Sequence, residues 1–80
     1  MIHSVTVAAP ALKQLQKLPE HIQIKFFNWQ AAVVESGLDA VRRIPGYHDE
    51  RLKGDRRWQR STRLNKAYRA IYVIKSDGAA

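Results

Sequence analysis

The stretch RLKGDRRWQRSTRLNKAYRAIYVIK, residues 51–75, reads as a basic loop feeding a two-stranded hairpin. Residues 58–64 suit a strand. Trp58, Arg60, Thr62 and Leu64 then share one face, and Gln59, Ser61, Arg63 and Asn65 the other, because side chains alternate along a strand. Asn65-Lys66-Ala67 supplies a turn. Residues 68–74 return, apolar on both faces (Ala70, Tyr72 and Ile74 against Ile71 and Val73), which marks a central strand. Residues 47–57, just upstream, read as a polar loop turning at Gly54. Like charges set side by side do not stabilise a hairpin. Their partner must lie outside it.

The rest of the chain reads as a platform. Residues 2–7 alternate and are rich in β-branched side chains, which predicts a short N-terminal strand. Pro10 suits the first turn of a helix, where a missing N–H costs nothing. Residues 11–18 set Leu12, Leu15 and Leu18 in line as a short amphipathic helix, and Pro19 breaks it. Residues 20–36 carry the strongest helical signal, with Ile22, Phe26, Trp29 and Val33 on one stripe widened by Phe27, Ala31 and Val34. Helical spacing alone accounts for these aromatics as core. Gly37 offers the positive-φ position that ends such a helix. Residues 38–44 extend one more helical turn, closed by Pro45-Gly46.

The expected fold is therefore α+β in one domain, residues 1–80. It has a small antiparallel sheet with an N-terminal strand, two helices packed on one face as an αα-hairpin, and a C-terminal β-hairpin. Ser76-Asp77-Gly78 is a further turn signal followed only by Ala79 and Ala80, so a last strand is expected to be missing from this sheet.

Eighty residues bury only roughly 60% of their unfolded surface, so a shallow groove is the realistic site. The charge is lopsided. Residues 1–40 balance Lys13, Lys17 and Lys25 against Glu20, Glu35 and Asp39, so the whole net charge of +7 lies in residues 41–80. Such a split favours a polyanion partner at one face; the plainer alternative is a solvated surface. With no cysteine, disulfides, thiolate zinc and a cysteine nucleophile are excluded. No apolar run approaches a membrane span, and no basic-then-apolar leader opens the chain, so a cytoplasmic location is expected.

His48, beside Tyr47, Asp49 and Glu50, is the default proton shuttle, or else an exposed loop histidine without a task. No H-x-E or H-E-x-x-H spacing occurs, so neither metal nor cofactor is expected. RNA cleavage needs neither. A 2′-hydroxyl attacks the adjacent phosphate once the phosphate charge is neutralised and the geometry held in line. Lys53, Arg56, Arg57, Arg60, Arg63 and Arg69 are the candidates to do that. Arg63, with Gln59 and Ser61, would floor a polar groove, whereas Arg60 shares its face with Thr62 and Leu64 and borders the core. Arg69 reaches either substrate or a carboxylate such as Asp55. Trp58 and Tyr68 can stack on bases or simply pack at strand ends.

Leu52-Lys53-Gly54-Asp55-Arg56, then Gln59-Arg60-Ser61-Thr62-Arg63-Leu64-Asn65, then Tyr68-Arg69-Ala70-Ile71-Tyr72 resemble the RelE/ParE superfamily, toxins of bacterial type II toxin–antitoxin modules. The pattern looks closest to the RelE/HigB branch. That resemblance implies a ribosome-dependent mRNA interferase, a metal-free endoribonuclease held inactive by a cognate antitoxin. It implies a basic groove opposite the helices, with Lys53, Arg63 and Arg69 as the matching basic residues. Some relatives carry a histidine where this chain has Glu50, with His48 two residues earlier. Relatives also continue into a last strand ending in tyrosine, histidine or arginine. Its replacement here by Gly78-Ala79-Ala80 raises one alternative, a truncated, catalytically weak or inactive toxin fold that only binds its antitoxin; the ParE branch, which shares the fold, raises another, a gyrase inhibitor.

Overall fold

The computed structural model describes residues 2–74, so the expected Ser76-Asp77-Gly78 turn and the missing last strand lie outside the described residues. The order of elements is α1 (Ala9–Gln16), α2 (Glu20–Ser36), α3 (Leu38–Arg42), β1 (Glu50–Arg51), β2 (Gln59–Arg63) and β3 (Arg69–Val73). The fold is α+β, with helices preceding a three-stranded antiparallel sheet of order β1-β2-β3. No helix among the described residues is long and apolar enough to cross a membrane.

The α2 helix follows its apolar stripe. Ile22, Trp29 and Val33 are buried and Phe26 half-buried. Phe27, Ala31 and Val34, expected to widen the stripe, are exposed instead. Phe27 keeps partial shelter by an edge-on contact with Phe26, ring centroids 5.6 Å apart. Gly37, at φ 87°, ends α2 and donates its N–H to Val33 O at 2.9 Å. The turn into α3 buries Leu38 and Val41 against Trp29 and Val33, and Tyr72 of β3 completes this core. The rings of Trp29 and Tyr72 lie 5.3 Å apart and tilted, an arrangement that stabilises by about 0.5–1.5 kcal/mol beyond area burial.

At the α1–α2 junction, Gln23 Nε2 donates to Leu18 O at 2.9 Å and to Gln16 O at 3.4 Å, the second a carbonyl that helix termination leaves open. Of the leucine line, only Leu15 is buried, Leu18 is half-buried and Leu12 is exposed.

The N-terminal stretch does not form the expected strand. It is extended, and Ser4 alone makes an isolated bridge. Bonds to the helices hold it instead: Leu38 N–H donates to Ile2 O at 2.8 Å, Gln30 Nε2 to Val5 O at 3.3 Å, and His3 Nδ1 lies 3.0 Å from Val34 O.

The hairpin forms close to its expected bounds, with Asn65 Oδ1 accepting the N–H groups of Ala67 and Tyr68 at 2.8 and 2.9 Å. This side-chain mimic of a backbone turn fixes the register Arg60↔Tyr72 and Arg63↔Arg69. Among the described strands β2 is central, not the returning strand. The reason is β1, two residues within the expected polar loop, which pairs Glu50 with Ser61 and Arg51 with Arg60. On β3, Ile71 is 48% exposed.

Gly54 sits at φ +67° with open space where a Cβ would project. Gly54→Ala is therefore expected to cost about 1–2 kcal/mol from backbone strain alone, read as a lowered urea midpoint, with no clash to add to it.

Candidate nucleic-acid interface

Register sorts the basic residues. Directly opposed residues share a sheet face, so Glu50, Ser61, Arg63 and Arg69 lie on one side and Arg51, Arg60, Thr62 and Tyr72 on the other. The second side is the core side, where Thr62, Leu64 and Tyr72 are buried.

Arg60 is consequently not a groove residue. Its Nε and Nη2 reach Asp49 Oδ1 at 2.8 and 2.7 Å, and the Tyr72 hydroxyl donates to Asp49 Oδ2 at 2.5 Å. The Asp49 side chain is 1% exposed and that of Arg60 17%. Burial alone would lower the Arg60 guanidinium, but the hydrogen bond and charge of Asp49 more than offset it and hold it above its ordinary value. Burial pushes the Tyr72 phenol well above the usual tyrosine range, and Asp49 pushes it the same way.

The Tyr72 shift has a sign that can be tested. Between the unfolded and folded pKa values the folded chain keeps a proton that the unfolded chain has lost. Stability from this residue is complete below the unfolded value, near 10, and declines as pH rises above it. Urea midpoints from about pH 9 to about pH 11 should therefore fall less steeply in Tyr72→Phe than in the parent chain.

Asp49 reaches the core because of the residue before it. His48 adopts the left-handed conformation, φ 43° and ψ 47°, closing the 3-10 turn Pro45–Tyr47. Histidine is among the few side chains found there with any frequency. Asp49 then turns inward while Glu50 faces out.

On the open side, Arg69 is held on several sides. Its Nε and Nη2 donate to Ser61 Oγ at 3.0 and 2.8 Å, and Nη2 also donates to His48 O at 2.8 Å. Its carboxylate neighbour is Glu50, at 3.5 Å, and not Asp55 as the sequence suggested. Arg69 is thus fixed by Ser61 Oγ and the His48 backbone carbonyl, with the Glu50 carboxylate beside its guanidinium as a group able to move a proton. Ser61, expected on the floor of a polar groove with Arg63 and Gln59, is instead almost fully buried beneath this arginine and serves as its acceptor.

The loop between β1 and β2 is built tightly. Arg57 N–H donates to Gly54 O at 3.2 Å, Leu52 N–H to Gln59 O at 3.0 Å, and Arg56 Nε to Gln59 Oε1 at 2.8 Å. The Trp58 indole N–H donates to Asp55 O at 2.9 Å, which orients the ring while the residue stays 63% exposed. Lys53, Arg56 and Arg57 are all exposed. Tyr68 is half-buried at the start of β3. Among the described residues, Lys53, Arg56, Arg57 and Arg63 join no ion pair. A held aromatic ring among unpaired cations suits stacking and phosphate contact together. Compared with known proteins, the chain matches no family model, and neither a curated protein nor a solved structure is significantly similar to it.

Proposed function

We propose that the chain is the toxin of a bacterial type II toxin–antitoxin module, of RelE/HigB type. In this reading it is a cytoplasmic, metal-free endoribonuclease that cuts messenger RNA on the ribosome and is neutralised by a cognate antitoxin. The helices back one face of the sheet and the basic side meets the RNA. The observation that carries the reading is Arg69 held by Ser61 Oγ, the His48 carbonyl and Glu50, on a hairpin whose preceding loop exposes Lys53, Arg56 and Arg57.

Lys53, Arg56, Arg57 and Arg63 bind phosphates, and Trp58 stacks on a base. Arg69, already oriented, neutralises the scissile phosphate as the 2′-hydroxyl attacks phosphorus and the 5′-oxygen leaves. His48 moves a proton in that exchange, and Glu50 joins it as a second candidate. Arg60 leaves the RNA-binding set, because Asp49 and Tyr72 hold it within the core.

The test is induced expression followed by primer extension on translated messages. Cleavage with growth arrest is expected, both abolished by Lys53→Ala with Arg63→Ala and relieved by the antitoxin. Intact message with unaffected growth removes the enzymatic reading. One observation favours a second reading, a toxin fold that binds its antitoxin without cutting: two of the expected groove arginines, Arg60 and Arg69, already have protein partners. A DNA-damage response without message cleavage would instead indicate a gyrase inhibitor.

A further inference from the structure

The α2 helix, the 3-10 turn Pro45–Tyr47 and the end of β2 border an open depression of about 320 Å³ whose lining includes Lys25, Asn28, Ile44, Tyr47 and Arg63. That volume is at the lower end for small-ligand sites, roughly 300–1,000 Å³. Lys25 and Asn28 are three residues apart on α2 and so share a face. Neither Lys25 nor Arg63 joins an ion pair among the described residues.

The register explains why an anion is wanted here. Arg63 stands directly opposite Arg69, and like charges so placed repel. Arg69 is drawn away to Ser61 and Glu50. Among the described residues Arg63 has no such carboxylate, and an anion shared with Lys25 would relieve it. The pocket wall is apolar and partly aromatic: Ile44 is exposed, and Tyr47 is half-buried against the core, which holds its ring in place. Asn28 brings an amide with both donors and an acceptor. Two cations, an anchored ring and an amide are the groups that recognise an unstacked nucleotide.

We infer that this pocket seats a single nucleotide of an RNA chain. Its phosphate lies between Lys25 and Arg63, its base rests on Tyr47 and Ile44, and its edge faces Asn28. The inference rests on the RNA reading above and extends the contact surface from the hairpin onto α2.

The test is an amide-resolved NMR titration of the full chain with the four ribonucleoside 5′-monophosphates, with inorganic phosphate and unphosphorylated nucleosides as controls. Two variants accompany it. Gly46 also lines the pocket, has no left-handed φ, and a Cβ there meets no atom within 4 Å, so Gly46→Leu plugs the mouth without strain. Lys25→Ala with Asn28→Ala removes the contacts from α2. Nucleotides are expected to shift residues 25–28 and 46–47 and to bind about tenfold tighter than phosphate or nucleoside, and each variant to weaken them about tenfold at an unchanged urea midpoint. Equal binding by phosphate alone, shifts confined to residues 53–58, or full binding by both variants would overturn the assignment. A short single-stranded oligoribonucleotide, followed by quenching of Trp58, separates the two readings. RNA binding with no shifts at the pocket defeats the nucleotide site and leaves the proposed function standing. Nucleotides seated in the pocket of a chain that binds no RNA defeat the function and, with it, the assignment of the pocket to an RNA chain.

Discussion

Asp49→Ala is expected to destabilise the protein by about 3 kcal/mol, the low end for a buried pair, because it leaves Arg60, whose side chain is 17% exposed, without its partner at the edge of the core. The total stability of a domain is about 5–15 kcal/mol, and one this small stands toward the low end, so a large share of the chain would unfold. Equilibrium urea unfolding checks it, with Asp49→Asn expected between parent and alanine variant. Asn keeps an acceptor for the Tyr72 hydroxyl and loses the charge facing Arg60. Combining Asp49→Ala with Arg60→Met should recover much of the loss, since removing both charges removes the desolvation penalty as well. An alanine variant as stable as its parent would mean that water hydrates the Arg60 guanidinium fully once Asp49 is gone.

Arg69→Ala is expected to lower the rate of message cleavage by about 10²–10³, the loss usual when one preorganised donor to a developing charge is removed. It has a structural cost too. The Ser61 hydroxyl is buried and loses both of its guanidinium contacts, and a buried group left unpaired costs about 1–3 kcal/mol. Arg69→Lys separates the two contributions. Lysine keeps a positive charge near Glu50 but has no planar fork to span Ser61 Oγ and His48 O together. Primer-extension rates for Arg69→Lys should stay close to those of alanine while its urea midpoint recovers part-way. Full cleavage by the lysine variant would reduce Arg69 to a point charge.

Some of this was open to reading from local pattern. The α2 helix follows from Ile22, Phe26, Trp29 and Val33, whose spacing has only one explanation. Parity along β2 already put Arg60 with Thr62 and Leu64 on the core side. What parity does not provide is Asp49. Its partner Arg60 lies eleven positions away, across β1 and the loop that follows, and the pairing depends on the left-handed turn at His48. β1 was hidden for a related reason: two residues, Glu50 and Arg51, are too few to show alternation, and both are charged. The N-terminal stretch misled in the opposite direction. Its alternation is real, but its carbonyls are taken by Gln30 and Leu38, so only Ser4 makes a bridge. Phe27 and Val34 are out of the core because α2 buries a single narrow stripe.

The way the first residues are fastened sets the order in which the molecule comes apart. Tied to α2 and α3 through scattered bonds rather than through a ladder, they can peel off as a unit while β1, β2 and β3 stay paired. The Leu38 amide, whose acceptor is Ile2 O, then reports on that detachment alone, and its deuterium uptake would run ahead of the amides of β2.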